Sequence, residues 1–527
     1  MSPQRPRSRA SRRRGNTAQK SPRTLTPPTR VEAVTDSTPP AAGAVSESPP
    51  PAVTTAQRAP VNGSEPTDGD IVLIRPRDPL VLRDARPFSS EPGARAISLP
   101  WPLPRTVAGT MRTHIGNNAT PPLDWTTLAG PTRARRETVS HGPLMVGQDE
   151  ADGAWHAYVP GPRDVVFYRP ENKKETAEDE SKELKAMVLR PDSPDAAECC
   201  DMPSFSANDA EKSRGYELAF ANTALRPLLV EEDVKPEVDV PSWWRLDHAV
   251  AWLNTTATEP PDSLFPYAAP DPDKPGAPQT LSGLKPLPAD TRVHVSIEPG
   301  TQTNVEGALF TTEARAFRDA PVAASDSEPG EPALAMLCKV RSTIEWKRDD
   351  ALVPLGGERR ISSLVMNDDD ALWPEVTYPS MDQFEAATGL RLLLVTPALF
   401  RYGWLPAWLG NSTIPGLKGE KVGGKLVGAA IDRRIPVSGW RVAQRQDDDN
   451  KETLSGPRRT CYAVPAGGVY FFAFDKPMER TEAEWHAVWD KLWLRPVSDH
   501  GIDCDEGFGL VLPGLWRDEH MEDAAQG

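Results

Sequence analysis

The sequence lacks the features that mark several large protein classes. It has no run of about 20 apolar residues, the length that crosses a bilayer as a helix, and its apolar stretches are short, such as Leu392–Val395 and Val469–Phe474. No apolar segment follows the basic N-terminus, so we expect no secretory signal. Five cysteines, of which only Cys199 and Cys200 are close together, predict neither a disulfide framework nor a zinc site. We therefore expect a cytoplasmic protein without a membrane span, in a reducing compartment.

Apolar residues are also scarce, whereas proline is abundant. Only 38% of the 527 residues are hydrophobic, and 57 are proline, a composition that departs in both respects from an average globular domain. A chain of this length has room for about two to four domains. The composition predicts globular cores interrupted by long loops and at least one disordered stretch.

The net charge of −15 is unevenly distributed along the chain. Residues 1–68 carry +5 and contain no aromatic residue, residues 69–147 carry +4, and the remainder carries −24. The first segment cannot bury enough apolar surface to fold, so we expect a disordered tail, either an arm that contacts nucleic acid or a solvated tail. Because phosphate binding depends on local positive charge, the negative total does not exclude a nucleic-acid surface.

Hydrophobic periodicity predicts strands and helices without regular alternation, which indicates an α+β fold. Strands are predicted at residues 71–74, 291–297, 304–311, 392–396 and 468–474. Between about 165 and 290 we expect a loop-rich insertion around a short helix near Trp243–Leu253.

Two amphipathic helices are predicted with some detail. In the first, Thr106 is the expected N-cap, Gly116 is the expected stop, and Val107, Met111 and Ile115 share one face. The second covers residues 481–493, where the apolar spacing places Trp485, Trp489 and Leu492 together.

The first motif that could carry function spans Arg77–Phe88. It places Arg83 and Arg86 among proline-restricted turns, where guanidinium groups can bind phosphates bidentately. The alternative is a loop in which these arginines pair with Asp78 and Asp84.

Two further motifs are rich in glycine. Leu355–Arg360 combines two glycines, which allow close backbone approach, with Arg359 and Arg360; the alternative is a plain hairpin turn. Glu506–Trp516 contains Gly507, Gly509 and Gly514, which predicts either a flexible, backbone-exposing loop or a tight turn that packs.

Common catalytic signatures are absent: the sequence contains no Walker-type phosphate loop, no HExxH and no GxSxG. The runs Asp368–Asp370 and Asp447–Asp449 are either Mg²⁺ ligands or, as we favour, solvated loops. His114, near Arg105 and Arg112, is either a general acid or base acting on RNA or a structural histidine. We assign no catalytic residue, no metal site and no cofactor.

The order of the motifs is more specific than any of them alone. The chain presents, in succession, DPLVLRDARPF, TVAGTMRTHIG, RVHVSIEPGTQTNVEGALFTTEAR, GGERR, SGW, VPAGGVYFF and GFGLVLPGLW. This succession resembles subunit three of the type III-B CRISPR–Cas Cmr effector complex, a family within the RAMP superfamily. The resemblance covers roughly residues 70–517 as separate islands and omits the tail and most of 165–290.

The resemblance implies two facing ferredoxin-like (RRM-like) βαββαβ domains. With the tail at 1–68, it places an N-terminal RAMP domain at 69–346, which contains the insertion at about 165–290, and a C-terminal RAMP domain at 347–527. The superfamily's glycine-rich loop then falls on Gly507, Gly509 and Gly514.

The function implied by the resemblance is that of a non-catalytic RNA-binding subunit in antiviral defence. Such a subunit holds the repeat-derived 5′ handle of the CRISPR RNA together with the large Palm-domain subunit, beside the backbone RAMP subunits. The implied or expected RNA contacts are Arg83, Arg86, Arg105, Arg112, Arg359 and Arg360. Ala85 stands where the family's first motif usually has glycine, which leaves open whether that turn needs a positive φ.

Two alternatives differ in class from this function. One is a metal-independent, repeat-cleaving RAMP endoribonuclease with His114 as general acid or base. The other is a purely structural scaffold whose acidic residues 148–527 dock on a basic partner.

Overall fold

The computed structural model describes most of the chain from Gly69 to Asp518. The described residues are 69–86, 94–127, 129–148, 153–168, 185–192, 210–229, 234–237, 240–255, 283–317, 333–367, 370–411, 414–417, 424–441, 444–447, 450–453, 456–474 and 480–518. The tail predicted at 1–68 and much of the predicted insertion lie outside them.

The α-helices of the described residues are α1 (Pro104–Asn117), α2 (Ala129–Glu137), α3 (Ala210–Ala221), α4 (Leu246–Asn254), α5 (Met381–Ala386), α6 (Glu482–Leu492) and α7 (Gly501–Asp505). Short 3-10 helices lie at Asp370–Leu372 and Ala407–Asn411.

Strands outnumber helices. In the first half they are β1 (Asp70–Pro76), β2 (Arg95–Ala96), β3 (Thr138–Gln148), β4 (Trp155–Pro160), β5 (Val165–Tyr168), β6 (Lys185–Val188), β7 (Arg190–Pro191), β8 (Leu228–Leu229), β9 (Trp243–Arg245), β10 (Gly283–Leu284), β11 (Ala289–Ile297), β12 (Asn304–Arg315) and β13 (Ala333–Ser342). In the second half they are β14 (Ala351–Pro354), β15 (Ile361–Asn367), β16 (Gly389–Leu394), β17 (Gly424–Ala430), β18 (Ile435–Val437), β19 (Trp440–Arg441), β20 (Gln444–Asp447), β21 (Asn450–Thr453), β22 (Gly456–Pro457), β23 (Cys461–Ala463), β24 (Val469–Phe474), β25 (Arg495–Pro496) and β26 (Leu510–Trp516). The α+β class is confirmed, and all five predicted strands are present.

Two sheets contain most of the core. The larger has eight strands in the order β10-β9-β4-β3-β13-β1-β15-β14, and the smaller has five in the order β17-β24-β16-β26-β25. β1 is antiparallel to both neighbours, with Ile71 opposite Lys339 of β13 and Ile74 opposite Leu364 of β15. A third sheet has the order β11-β12-β2, and the remaining strands form two-stranded pairs. Because β14 and β15 belong to the larger sheet, that sheet extends past residue 346.

The alternation of β1 divides the core into two layers. Ile71 and Leu73 are buried in a cluster shared with the smaller sheet, whereas Val72 and Ile74 are buried against α1. Successive strand residues point to opposite faces, which explains this division. The larger sheet therefore lies between α1 and the smaller sheet.

The first predicted helix is present, but its predicted ends are wrong. α1 begins at Pro104 after the N-cap Leu103, and Gly116 lies inside it. Proline suits the first helical turn because the amide it lacks would have no helical acceptor there, so the helix starts before Thr106. The predicted apolar face is confirmed, since Val107, Met111 and Ile115 are all buried.

The second predicted helix is confirmed as α6. Thr481 and Glu484 form a reciprocal capping box at its N-terminus, which satisfies two of the amides that the helix leaves unpaired. Trp485 and Trp489 are 2% and 0% exposed, and Phe384 of α5 stacks on Trp485 at 4.7 Å between ring centroids. This helix closes the outer face of the smaller sheet.

The short helix predicted in the insertion is α4, which is part of the core. Arg391 of β16, fully buried, pairs with Asp164 at 2.6 Å and donates to the carbonyl of Leu253 at 3.2 Å. The guanidinium hydrogen-bonds a carbonyl at the C-terminal end of α4 that has no acceptor role within the helix, and its positive charge complements the helix dipole there. The insertion therefore contributes packed structure to the smaller sheet.

Among the described residues, no helix has both the length and the apolarity needed to cross a membrane.

Candidate nucleic-acid interface

The first motif runs along the surface as an extended segment after β1. The amide of Leu80 donates to the carbonyl of Arg315 at 2.8 Å, and the amide of Leu82 donates to Ser98 Oγ at 2.9 Å. Both leucines are buried, whereas Arg83 and Arg86 are exposed. The apolar residues of the motif thus anchor the segment, and its arginines face solvent.

The turn that carries Arg86 is held by Asp84. The backbone amide of Arg86 donates to the Asp84 carboxylate at 3.1 Å, and the Arg86 Nε lies 3.1 Å from the same group. The Arg86 side chain is 68% exposed, so the pair is screened and leaves most of the guanidinium accessible. Ala85 is not among the described residues with positive φ. The turn therefore does not require the glycine that the family motif usually has.

The glycine-arginine motif is the hairpin turn between β14 and β15. Gly356 has a φ of 76°, and a side chain there would place its Cβ 2.9 Å from the carbonyl oxygen of Val81. Glu358 and Arg359 also have positive φ, of 56° and 51°, a conformation that strains residues with a side chain. Arg359 is exposed, and Arg360 is half-buried and pairs with Glu358 at 2.7 Å. The turn thus presents Arg359 to solvent at a local conformational cost.

These two motifs, far apart in the sequence, are in contact. The amide of Gly357 donates to the carbonyl of Val81 at 2.8 Å, and the amide of Arg77 donates to the carbonyl of Ile361 at 2.9 Å. We call residues 77–86 together with 355–361 the two-segment interface. Its exposed arginines are Arg77, Arg83, Arg86 and Arg359.

Arg105 and Arg112 of α1 are positioned differently, because both point into the protein. Glu506, 1% exposed, accepts from Arg105 Nε at 2.7 Å and from Arg112 Nη1 at 2.9 Å. Arg105 also pairs with Asp503 at 2.7 Å. The two guanidinium groups are thereby engaged by carboxylates that precede the glycine-rich turn.

Charge and burial compete at this cluster. Burial disfavours the charged form of Glu506, but Arg105 and Arg112 outweigh it and hold the pKa of this carboxyl below its ordinary value. Burial raises the pKa of Asp503 despite the opposing effect of Arg105. We call Arg105, Arg112, Asp503 and Glu506 the Glu506 cluster. Its ion pairs connect α1 to the segment that precedes β26.

The glycine-rich segment is buried and packs tightly. Gly507 and Gly509 form the turn with φ of 89° and 79°, whereas Gly514 lies within β26. A Cβ at Gly507 would lie 2.6 Å from the carbonyl oxygen of Gly142, and one at Gly514 would lie 2.6 Å from that of Leu253. The packed alternative is therefore the one that the geometry matches: these glycines let the two sheets and α4 approach closely.

His114 lies inside the protein. It is 6% exposed, and its ring meets Trp346 edge-on at 5.6 Å between centroids. Burial lowers the pKa of His114, with a smaller opposing effect of Asp349. A general acid or base must reach the proton it transfers, and this ring is enclosed by the helix and Trp346.

The structure offers no support for a metal centre in the residues it covers. No group of three or more His, Cys, Asp or Glu side chains within them could hold an ion. Of the aspartate runs, residues 368, 369, 448 and 449 lie outside the described residues.

Sequence reasoning missed the role of Glu506 and the position of Arg75 and Trp155. In the sequence, the available signal was that Glu506 is an acidic residue directly before the glycine motif. Arg75 ends the apolar run of β1 and lies over the Trp155 ring, 4.9 Å from its centroid. A charged residue at an inward position of a strand is the signal that would have identified it.

Comparison with known proteins identifies the family. The family model for CRISPR-associated protein (Cas_Cmr3) matches residues 72–516, from β1 to the end of β26. No curated protein matches the chain. Similar solved chains come from cryo-EM structures of the Type III-B Cmr-beta, one bound to cognate target RNA and AMPPnP in state 1 and one bound to cognate target RNA. The identities are 15% and 16% and the TM-scores 0.31 and 0.32; each alignment covers 76% of this chain and 86% of that one. The resemblance predicted from the motif order is confirmed, and the chain belongs to the CRISPR-associated Cmr3 family.

Proposed function

We propose that the chain is the non-catalytic, RNA-binding third subunit of a type III-B CRISPR effector complex. In this role it holds the repeat-derived 5′ handle of the CRISPR RNA together with the large Palm-domain subunit, beside the backbone subunits. Membership of the Cmr3 family supports its place in such a complex.

We also infer that both large sheets derive from ferredoxin-like domains. Four consecutive positions of the larger sheet read β3-β13-β1-β15, and four of the smaller read β17-β24-β16-β26. Taken in chain order within each domain, both read second-third-first-fourth, the strand order of the βαββαβ unit. In this proposal the first domain extends to Asn367, because β15 is its fourth strand.

Each proposed domain retains one of the unit's two helices. In the first, α1 follows the first strand, while residues 343–360 between the third and fourth strands contain no helix. In the second, α6 occupies the later position, and the described residues between the first and second strands contain only the 3-10 helix Ala407–Asn411. The first domain keeps the earlier helix of the unit and the second domain keeps the later one. Each sheet therefore has one face covered by a helix.

The observation that carries the RNA-binding role is the hydrogen bond between Gly357 and Val81. It brings Arg83, Arg86 and Arg359 onto neighbouring turns of the two-segment interface, and all three are exposed. Guanidinium groups bind phosphates through charged, bidentate hydrogen bonds. In this proposal these three arginines contact the RNA backbone. Arg360 stabilises the turn by pairing with Glu358, and Arg105 and Arg112 stabilise the fold by pairing with Glu506.

The endoribonuclease alternative is not favoured by the geometry. A nuclease based on His114 would need RNA to reach a ring that is 6% exposed and packed against Trp346. The scaffold alternative predicts instead that the two-segment interface contacts no RNA.

The test is protection of the handle in the assembled complex. We would reconstitute the complex with the triple variant Arg83→Ala, Arg86→Ala and Arg359→Ala, and digest the bound RNA with a single-strand-specific nuclease. The control is Arg133→Ala, which removes a half-exposed arginine of α2 outside the interface. Faster digestion of the handle in the triple variant alone supports the proposal; protection equal to that of the control contradicts it and favours the scaffold.

A further inference from the structure

A groove of about 470 Å³ lies at one end of the larger sheet. Its walls include Arg75 of β1, Arg77 just after it, Trp155 of β4 and Leu352 of β14. Arg75 follows Ile71 and Leu73 on the same face of β1, since alternate strand residues share a face. The groove thus continues the face that is buried against the smaller sheet, at the point where this face becomes accessible.

Arg75 and Trp155 form a stacked platform in the groove. The guanidinium carbon of Arg75 lies 4.9 Å from the centroid of the Trp155 ring, an arrangement stabilised by cation–π attraction. Arg75 Nε is buried and has no hydrogen-bond partner among the described residues. The stacking therefore fixes the guanidinium while leaving a donor that the surrounding protein does not use.

The charge of the groove selects an anionic ligand. Its walls carry two arginines against one acid, Asp350, whose carboxylate already accepts the Met366 amide at 2.9 Å. A volume of about 470 Å³ is in the range of small-molecule sites; it accommodates a single nucleotide and is too small for a duplex. A π-platform beside guanidinium groups is the chemistry that binds an unstacked base and its phosphate.

We propose that this groove binds one unstacked nucleotide of the CRISPR RNA, with its base against the Arg75–Trp155 platform and its phosphate at Arg77. The inference rests on the proposed function, because it takes RNA as the ligand. Its position supports it: Arg77 is bonded through its amide to Ile361, so the groove adjoins the two-segment interface.

The test measures binding of the full-length chain to a fluorescein-labelled, single-stranded RNA that carries the handle. We expect Trp155→Ala to weaken binding about tenfold, the loss typical of one stacked base, and Trp155→Phe to retain most of the affinity. Arg77→Ala should weaken binding and make the salt dependence shallower, by about 0.7 in the slope of log K against log salt.

Leu352 provides a pair of variants that should leave the fold intact, because this residue is 68% exposed. Leu352→Glu places a negative charge at the rim and should weaken RNA binding several-fold, whereas Leu352→Lys should not. A 4-thiouridine crosslink from the RNA should map to the peptide that contains Trp155.

The outcomes separate this inference from the proposed function. If the Trp155, Arg77 and Leu352 variants bind like wild type while the Arg83, Arg86 and Arg359 variant does not, the groove is not a nucleotide site and the proposed function stands. If the wild-type chain and its complex bind no handle RNA at all, both are wrong.

Discussion

Replacing Glu506 by glutamine tests whether Arg105 and Arg112 are structural or contact RNA. The substitution keeps the size of the side chain and removes its charge. Glu506 accepts from Arg105 at 2.7 Å and from Arg112 at 2.9 Å, and the three side chains are 1%, 15% and 10% exposed. Removing one partner of such a buried pair leaves charge uncompensated, which costs about 3–5 kcal/mol.

The loss should fall mainly on Arg112. Arg105 keeps Asp503 at 2.7 Å, whereas the remaining bond of Arg112 is a long one, 3.5 Å to the carbonyl of Thr138. We therefore expect the free energy of unfolding of Glu506→Gln, measured by urea denaturation, to fall by about 3–5 kcal/mol. The double variant with Arg112→Met should recover at least half of this loss, because the stranded charge is removed as well.

A matched control is the exposed pair of Arg133 and Glu137, 3.1 Å apart and 49% and 34% exposed. Glu137→Gln should cost about 0.3–0.5 kcal/mol, since water already screens such a pair. If Glu506→Gln costs no more than this control, the structural role assigned to the cluster is wrong. An increase in RNA affinity without loss of stability would show instead that the released arginines contact RNA.

The same variant predicts a pH dependence. Because the pKa of Glu506 is held below its ordinary value of 4.5, its contribution is complete above that pH and is lost as the pH falls through the lowered pKa. The stability difference between wild type and Glu506→Gln should therefore shrink in acid. A difference that stays constant down to the lowest pH at which the chain folds would contradict the ion pairing.

Two further predictions follow from the turn and from the half-buried His141. Arg359→Gly should raise the free energy of unfolding by about 1 kcal/mol, because glycine adopts positive φ without strain, and it should also weaken RNA binding; a loss of stability would refute the assignment of strain. Burial, with Arg495 and Arg341, lowers the pKa of His141 from 6.5 to about 4. Since the folded state binds this proton less readily, stability should fall as the pH drops from 6.5 to 4, by up to about 3 kcal/mol. His141→Gln should flatten that part of a pH series of urea denaturation curves, and an unchanged profile would contradict the lowered pKa of His141.

Local pattern predicted the elements whose apolar residues repeat at a clear period. The alternation at 291–297 and the spacing of Trp485, Trp489 and Leu492 both correspond to observed elements. Helix ends were less predictable: Thr106 has the chemistry of an N-cap, but Pro104 is compatible with the first turn and the helix begins there. Periodicity reports the kind of element but carries little information on where it starts or whether its apolar face is buried: Val293, Val295 and Ile297 of β11 are 70%, 43% and 53% exposed.

The candidate site could be predicted only in part, because its geometry depends on contacts between distant segments. The sequence indicated Arg83, Arg86, Arg105 and Arg112 as equivalent basic residues of one region. Only the fold separates the exposed pair on the surface segment from the pair that faces Glu506, about 400 positions away. No spacing rule encodes that contact, since it arises when α1 packs beside the last strands of the smaller sheet.

The most direct test of the central claim is the salt dependence of handle-RNA binding by the triple variant Arg83→Ala, Arg86→Ala and Arg359→Ala. Each lost phosphate contact to a single strand lowers the slope of log K against log salt by about 0.7. If these three arginines bind the RNA backbone, the slope should fall by about 2 relative to wild type and to Arg133→Ala. An unchanged slope and affinity would contradict the assignment of the two-segment interface as the RNA-binding surface.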